Sequence, residues 1–196
     1  MLGVDEAGRG PLAGPVAVAA VLVPESFDVP REFPGVRDSK RLSEKRREAL
    51  FAALTERAKQ GDIRFVVAFG SASAIDREGI AAVVRRAVAR SVSALAPDAA
   101  LVKVYLDGAL RAPEEYAQTT IVSGDKLVPL ISLASIAAKV TRDRKMAKLA
   151  ARHPQYRFET HKGYGTKAHY VALRAYGPCA IHRRSFLHLD FARKRR

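Results

Sequence analysis

Cysteine is nearly missing from this chain. Its single copy, Cys179, can neither close an intramolecular disulfide nor build a cysteine zinc site, and it reads as a packed thiol in a protein of the reducing cytoplasm. Acidic residues are scarce beside basic ones, 20 against 34, which leaves a formal net charge of +14 over 196 residues. That excess predicts a polyanionic partner, nucleic acid ahead of an acidic membrane. The longest apolar run, Pro11 to Pro24, falls short of the roughly 20 residues of a spanning helix. It follows Asp5 and Glu6 instead of the basic segment of a signal peptide, so neither a membrane span nor a signal is expected. The five histidines show no H-E-x-x-H spacing, and neither a G-x-S-x-G elbow nor a phosphate-loop lysine motif occurs. Gly14 falls one position too late for Gly8-Arg9-Gly10 to open a dinucleotide fingerprint.

What is present is a foldable chain, 48% hydrophobic and 28% charged. Its length predicts one domain over 1–196, with a helical, substrate-binding part over about 153–196. Strands are expected at Leu2 to Asp5, Pro15 to Val23, Arg64 to Phe69, Leu101 to Leu106 and Thr119 to Val122. Pro24 to Pro34 reads as a loop. Helices are expected from Ser43 to Gly61, from Ile80 toward Pro97, from Pro129 to about Ala151, and from Lys167 to Tyr176. Early antiparallel strands followed by alternating helix and strand predict an α/β fold, a mixed sheet flanked by helices.

Four carboxylates stand out. Asp5 and Glu6 end an apolar strand, where neighbours normally point to opposite faces, so they converge only if the strand ends or bulges at Gly8 and Gly10; otherwise they are solvated turn residues. Asp107 ends another apolar strand before Gly108, either as ordinary turn chemistry or as a ligand at a strand's carboxyl end. Asp143 lies at helical spacing from Ile136, Val140 and Ala147 and is read as core-facing, where it needs an ion pair with Lys139, Arg142 or Arg144, or a metal. Acids gathered in one cleft need a counter-ion, and Mg2+ or Mn2+ would suit carboxylate oxygen in phosphodiester chemistry.

Basic residues crowd two places. Arg37, Lys40, Arg41, Lys45, Arg46 and Arg47 surround one helix start, and Arg183, Arg184, Arg193, Lys194, Arg195 and Arg196 the carboxyl end. Some are phosphate contacts and some plain solvated surface. Tyr164, between Gly163 and Gly165, either presents its ring to a base or sugar or packs in its loop. His182, beside Arg183, reads as a packed or hydrogen-bonded residue.

The run Asp5-Glu6-Ala7-Gly8-Arg9-Gly10-Pro11-Leu12-Ala13-Gly14-Pro15 resembles the opening motif of the ribonuclease HII (type 2 ribonuclease H) family. Asp38-Ser39-Lys40, Leu106-Asp107-Gly108, Gly124-Asp125, Ala134 to Asp143, His161 to Thr166 and His182 to Phe186 resemble that family in the same order, over essentially the whole chain. The resemblance implies a ribonuclease H-like fold with a five-stranded mixed sheet. It implies a metal-dependent endonuclease acting on RNA/DNA hybrids and on duplex DNA containing ribonucleotides, cutting 5′ of the ribonucleotide to leave 5′-phosphate and 3′-hydroxyl ends, in ribonucleotide excision repair and primer removal. Carried over by motif, Asp5, Glu6, Asp107 and Asp143 would bind two ions, Mg2+ or Mn2+, with Asp5 between them. Gly8, Arg9 and Gly10 would sense the ribose 2′-hydroxyl, Tyr164 would stack on the neighbouring deoxyribose, and Ser39 and Lys40 would hold backbone phosphate. A monomer without an obligate protein partner or membrane is expected. Only four residues precede Asp5, so the terminal amine is expected near the site, with no room for the extra amino-terminal domain of type 3 relatives.

Two rival readings share these residues. A non-catalytic nucleic-acid-binding protein would use the basic surface and survive chelation. Another ribonuclease H-fold nuclease, a junction resolvase or transposase core, would cut all-DNA substrates, against which the Gly8-Arg9-Gly10 segment argues.

Overall fold

The computed structural model describes residues 1–36 and 39–187. Arg37, Asp38, the side chain of Lys40, His188, Arg193, Lys194, Arg195 and Arg196 lie outside the described residues.

Strand β1 (Leu2–Ala7) is central, with β2 (Val16–Leu22) antiparallel on one side and β4 (Lys103–Asp107) parallel on the other. β3 (Arg64–Gly70) extends β2 antiparallel and β5 (Ala117–Ile121) extends β4 parallel, giving the order β3-β2-β1-β4-β5. The mixed five-stranded α/β sheet expected from the sequence is thus present. The helices are α1 (Val29–Glu32), α2 (Glu44–Gln60), α3 (Ala72–Glu78), α4 (Ile80–Leu95), α5 (Gly124–Leu127), α6 (Pro129–Arg152), α7 (Phe158–His161) and α8 (Lys167–Tyr176).

Alternation along the strands divides the core between two faces. Val4, Val18, Val104 and Leu106 pack against Val84, Val88 and Val92 of α4. Ala19 and Val21 meet Leu50 and Leu54 of α2 and Leu133, Ile136 and Ala137 of α6. A smaller cluster, built on Leu12, Met146, Tyr156 and Phe158, carries the carboxyl-terminal helices.

Helix caps follow local chemistry. Ser43 accepts from the Arg46 amide to start α2, and Gly61, at φ 87°, ends it in the left-handed region. Thr166 accepts from the His169 amide to start α8. The loop expected over Pro24 to Pro34 contains α1, and α3 precedes the expected helix at Ile80. The phase of α6 also differs from expectation. Its inward positions past Val140 are Arg142, Met146 and Ala150, while Ala147 is exposed and Asp143 sits at the margin, its side chain 13% exposed. The terminal amine donates to the Val23 carbonyl at 2.8 Å, at the opposite end of β1 from Asp5 and not beside the site. Among the described residues no helix is long and apolar enough to cross a membrane.

Candidate active site

The carboxylates are placed by strand register. β1 and β4 pair in parallel through Leu2–Val104, Gly3–Tyr105 and Val4–Leu106, and that pairing stops there. Asp5 and Asp107 are the next residues on each strand, so alternation turns both away from the face that Val4 and Leu106 share, and toward α6. This is the carboxyl edge of the parallel strands, where open α/β sheets place ligands. No bulge brings Glu6 beside Asp5. The antiparallel pairing with β2 continues regularly through Asp5–Ala19, Glu6–Val18 and Ala7–Ala17.

Asp5 is buried, and its Oδ1 accepts from the Glu6 amide at 2.7 Å. Burial, then repulsion from Glu6 and Asp107, pushes its carboxyl well above the ordinary carboxylate range, against a lowering hydrogen bond from Ser135. Burial also raises Glu6; the positive charge of Arg9 opposes the rise and the charge of Asp107 adds to it. Arg9 Nη1 lies 3.5 Å from Glu6 Oε1, while Glu6 Oε2 is buried with no hydrogen-bond partner among the described residues. Asp107 Oδ1 accepts from the Asp125 amide at 3.2 Å, which ties the strand end to α5.

Asp143 is placed differently. Ser135, Lys139 and Asp143 share one face of α6 at four-residue spacing, and Lys139 Nζ holds Asp143 at 2.9 Å. Asp143 thus carries an ion pair with Lys139, one of the partners expected for it. Among the described residues, no three His, Cys, Asp or Glu side chains are gathered closely enough to hold a metal by themselves. Asp5, Glu6 and Asp107 lie near enough to act on one another's charge, Asp5 being raised by both Glu6 and Asp107.

The residues do fit divalent cations in kind. Two desolvated carboxylates repel a third, and one buried carboxylate oxygen has no partner; a hard cation relieves both costs.

The glycine segment is held from behind. Arg183, fully buried, donates through Nε to Gly14 O at 3.0 Å, Nη1 to Arg9 O at 2.8 Å and Nη2 to Gly8 O at 2.7 Å. Arg142, equally buried, donates to Pro15 O at 2.9 Å and Lys162 O at 3.0 Å. Burial and the neighbouring Arg142 charge pull Arg183 down to about 10. Gly8, at φ 88°, admits no side chain: a Cβ there would stand 1.9 Å from Arg142 Nε. A Cβ at Gly10 would meet nothing within 4 Å, so that surface is open.

Tyr164 is 44% exposed, its ring 5.9 Å from the Arg142 guanidinium carbon, and its carbonyl accepts from His169 Nδ1 at 2.9 Å. Ser39 is buried with its hydroxyl 2.9 Å from Ser135 Oγ, so the side chain points inward. Ser135, which links Ser39 to Asp5, was not singled out from the sequence, although it lies two helical turns before Asp143 on the same face. Arg142, Arg183 and Lys139 were likewise read as surface cations or simple partners.

A mixed sheet in this order, with carboxylates where its central parallel strands part, defines an α/β protein of the ribonuclease H-like class. The family profile of ribonuclease HII matches residues 2–192. Ribonuclease HII of Burkholderia vietnamiensis is 48% identical over 94% of this chain and 81% of its own length, and that of Coxiella burnetii 45% identical over 94% and 86%. Among solved structures, the PCNA:RNase HII complex from Archaeoglobus fulgidus matches with TM-score 0.75 and 26% identity, over 94% of this chain and 92% of that one. Ribonuclease H2 from Pyrococcus horikoshii matches with TM-score 0.72 and 28% identity, over 98% and 95%. The chain belongs to the ribonuclease HII family and is an endonuclease of the ribonuclease H type.

Proposed function

We propose that this protein hydrolyses RNA in RNA/DNA hybrids and cuts 5′ of single ribonucleotides embedded in duplex DNA, leaving 5′-phosphate and 3′-hydroxyl ends. On this reading its cellular work, in the cytoplasm, is ribonucleotide excision repair and removal of RNA primers. It acts as a monomer without an obligate protein partner, the whole chain forming one catalytic unit whose part over 153–196 binds substrate. The reading is carried by the buried Asp5 and the half-buried Glu6, both raised by desolvation and by Asp107, with Glu6 Oε2 lacking a hydrogen-bond partner among the described residues.

Asp5, Glu6, Asp107 and Asp143 would hold two divalent cations, Mg2+ or Mn2+, Asp5 shared between them. When bound, the cations would supply Lewis-acid stabilisation of the attacking and leaving oxygens of an in-line displacement. Substrate phosphate oxygens would offer such cations further ligands of the kind they prefer. Lys139 pairs with Asp143.

The chain's other residues position and discriminate. Arg183 and Arg142 hold carbonyls of the Gly8–Pro15 segment, and Gly8, Arg9 and Gly10, open at Gly10, would meet the ribose 2′-hydroxyl, the group that separates RNA from DNA. Tyr164 stacks on the neighbouring deoxyribose. Lys40 neutralises backbone phosphate, and Ser39 serves the site through Ser135 and Asp5.

The test is cleavage of a duplex carrying one ribonucleotide beside its all-DNA counterpart, with Mg2+, Mn2+ or EDTA. One cut 5′ of the ribonucleotide, an intact all-DNA duplex and no product in EDTA are expected. Equal cutting of both duplexes would overturn the 2′-hydroxyl reading, and binding without cutting would overturn catalysis.

A further inference from the structure

A cleft of ≈ 120 Å3 lies between α4 and the two loops that leave the acidic strand ends, and Arg9, Arg85 and Arg111 line it with Val84 and Leu110. Arg9 stands three positions after Glu6 on the loop leaving β1, and Arg111 four positions after Asp107 on the loop leaving β4. Arg85 projects from the exposed face of α4. No carboxylate lines the cleft. Arg111 is already aimed, since its Nη1 donates to Leu110 O at 3.0 Å and to the Thr120 hydroxyl of β5. The Arg85 side chain makes no hydrogen bond or ion pair among the described residues. Arg9 is shared, its other side facing Glu6 at 3.5 Å.

Three arginines that line one cleft from three elements, with no lining carboxylate among the described residues, make it a place that favours an anion. Guanidinium is also the side chain best matched to phosphate geometry. We propose that this cleft binds a backbone phosphate of the nucleic-acid substrate, close to the scissile one, and that Arg85 and Arg111 thereby set the reach of the strand over the carboxylates. The proposal takes from the nuclease reading only the identity of the polyanion. Its logic is position: the strand ends that carry Glu6 and Asp107 lead within four residues into the loops that carry Arg9 and Arg111, so the cleft lies on the α4 side of the same sheet edge.

The experiment measures binding of a short RNA/DNA hybrid in EDTA across a salt series, beside steady-state cleavage in Mg2+. The variants are Arg85→Ala, Arg85→Glu and Arg111→Ala, with Lys59→Ala, an exposed lysine at the far end of α2, as the charge control. Arg85→Ala replaces an exposed helical residue with the best helix former, so folding is preserved. Each cleft variant is expected to lower the slope of log K against log salt by about 1. KM should rise about two- to five-fold, the worth of an exposed ion pair, with kcat unchanged and a larger effect for Arg85→Glu. Slopes and KM values no different from Lys59→Ala would overturn the proposal. Failure of the wild-type protein to cleave would overturn the catalytic reading instead, and the binding slopes in EDTA would still decide the cleft.

Discussion

Arg183 Nη2 donates to the Gly8 carbonyl at 2.7 Å across 175 positions of sequence, joining the carboxyl-terminal segment to the loop beside the acidic strand ends. The same guanidinium holds Arg9 and Gly14, so one buried cation fixes the loop at three points. Arg183→Met leaves the carbonyls of Gly8 and Gly14, both buried, and the part-buried carbonyl of Arg9 without this donor. At about 1–3 kcal/mol for each unsatisfied group, the expected loss is about 3–5 kcal/mol after partial relaxation. Arg183→Lys restores a charge but not the fork, so it recovers part of the stability and little of the loop geometry. Thermal denaturation of both variants measures the first effect, and selectivity for a ribonucleotide over all-DNA duplex the second.

Asp5→Asn is expected to abolish cleavage, keep hybrid binding and raise stability. With Asp5 and Glu6 raised above their unfolded values, the folded protein keeps protons that the unfolded chain releases, so these groups remove stability as pH rises above the ordinary carboxylate range. Melted side by side in EDTA from pH 5 to pH 8, Asp5→Asn should gain stability relative to the wild-type protein as pH rises, by about 1 kcal/mol at pH 8. Mg2+ should stabilise the wild-type protein more than the variant. A variant that cleaves at the wild-type rate defeats the assignment.

Local chemistry made much of this molecule readable in advance. Lys167 and Tyr176 bound α8 as expected because Thr166 caps its start and Gly177 follows its end. Four-residue α1 is too short for any periodicity, and α3 was hidden because Gly79 separates it from α4 without a change in composition. Buried arginine accounts for the phase error in α6. Hydropathy assigns Arg142 to solvent, so the inward stripe was drawn through Ala147, yet Arg142 is buried on the Ala13, Pro15 and Lys162 carbonyls. The motif residues Asp5, Glu6 and Asp107 were legible, whereas Ser135 and Arg183 act through long-range partners that spacing does not reveal.

His182 sets an acid limit on the fold. His169 Nδ1 must donate to the Tyr164 carbonyl, leaving its Nε2 to accept from His182 Nε2 at 3.0 Å, while His182 Nδ1 accepts from the Cys179 amide at 2.9 Å. Burial first, then the facing His169, with His153 and His161 adding, hold His182 at about 4. The unfolded ring takes its proton near 6.5. Stability from this site is therefore complete above about pH 6.5 and lost as pH falls toward 4. Between pH 7 and pH 4.5 the loss should be about 2–3 kcal/mol by that linkage. Urea midpoints at both values check it, and His182→Gln should shrink the difference.

Tyr164 isolates stacking from charge. Its ring is exposed and backed by the Arg142 guanidinium, and Gly163 beside it, at φ 87°, lets the loop approach Ala13 so closely that a Cβ would stand 2.3 Å from the Ala13 carbonyl oxygen. Tyr164→Ala removes the platform and leaves the backbone hydrogen bond to His169 in place. Stacking on a nucleic-acid strand is worth about 1–3 kcal/mol, so kcat/KM on a single-ribonucleotide duplex should fall about ten- to a hundred-fold. Tyr164→Phe keeps the ring and should retain nearly full activity. Equal losses in the two variants would assign the role to the hydroxyl, and no loss in either would remove Tyr164 from the substrate path.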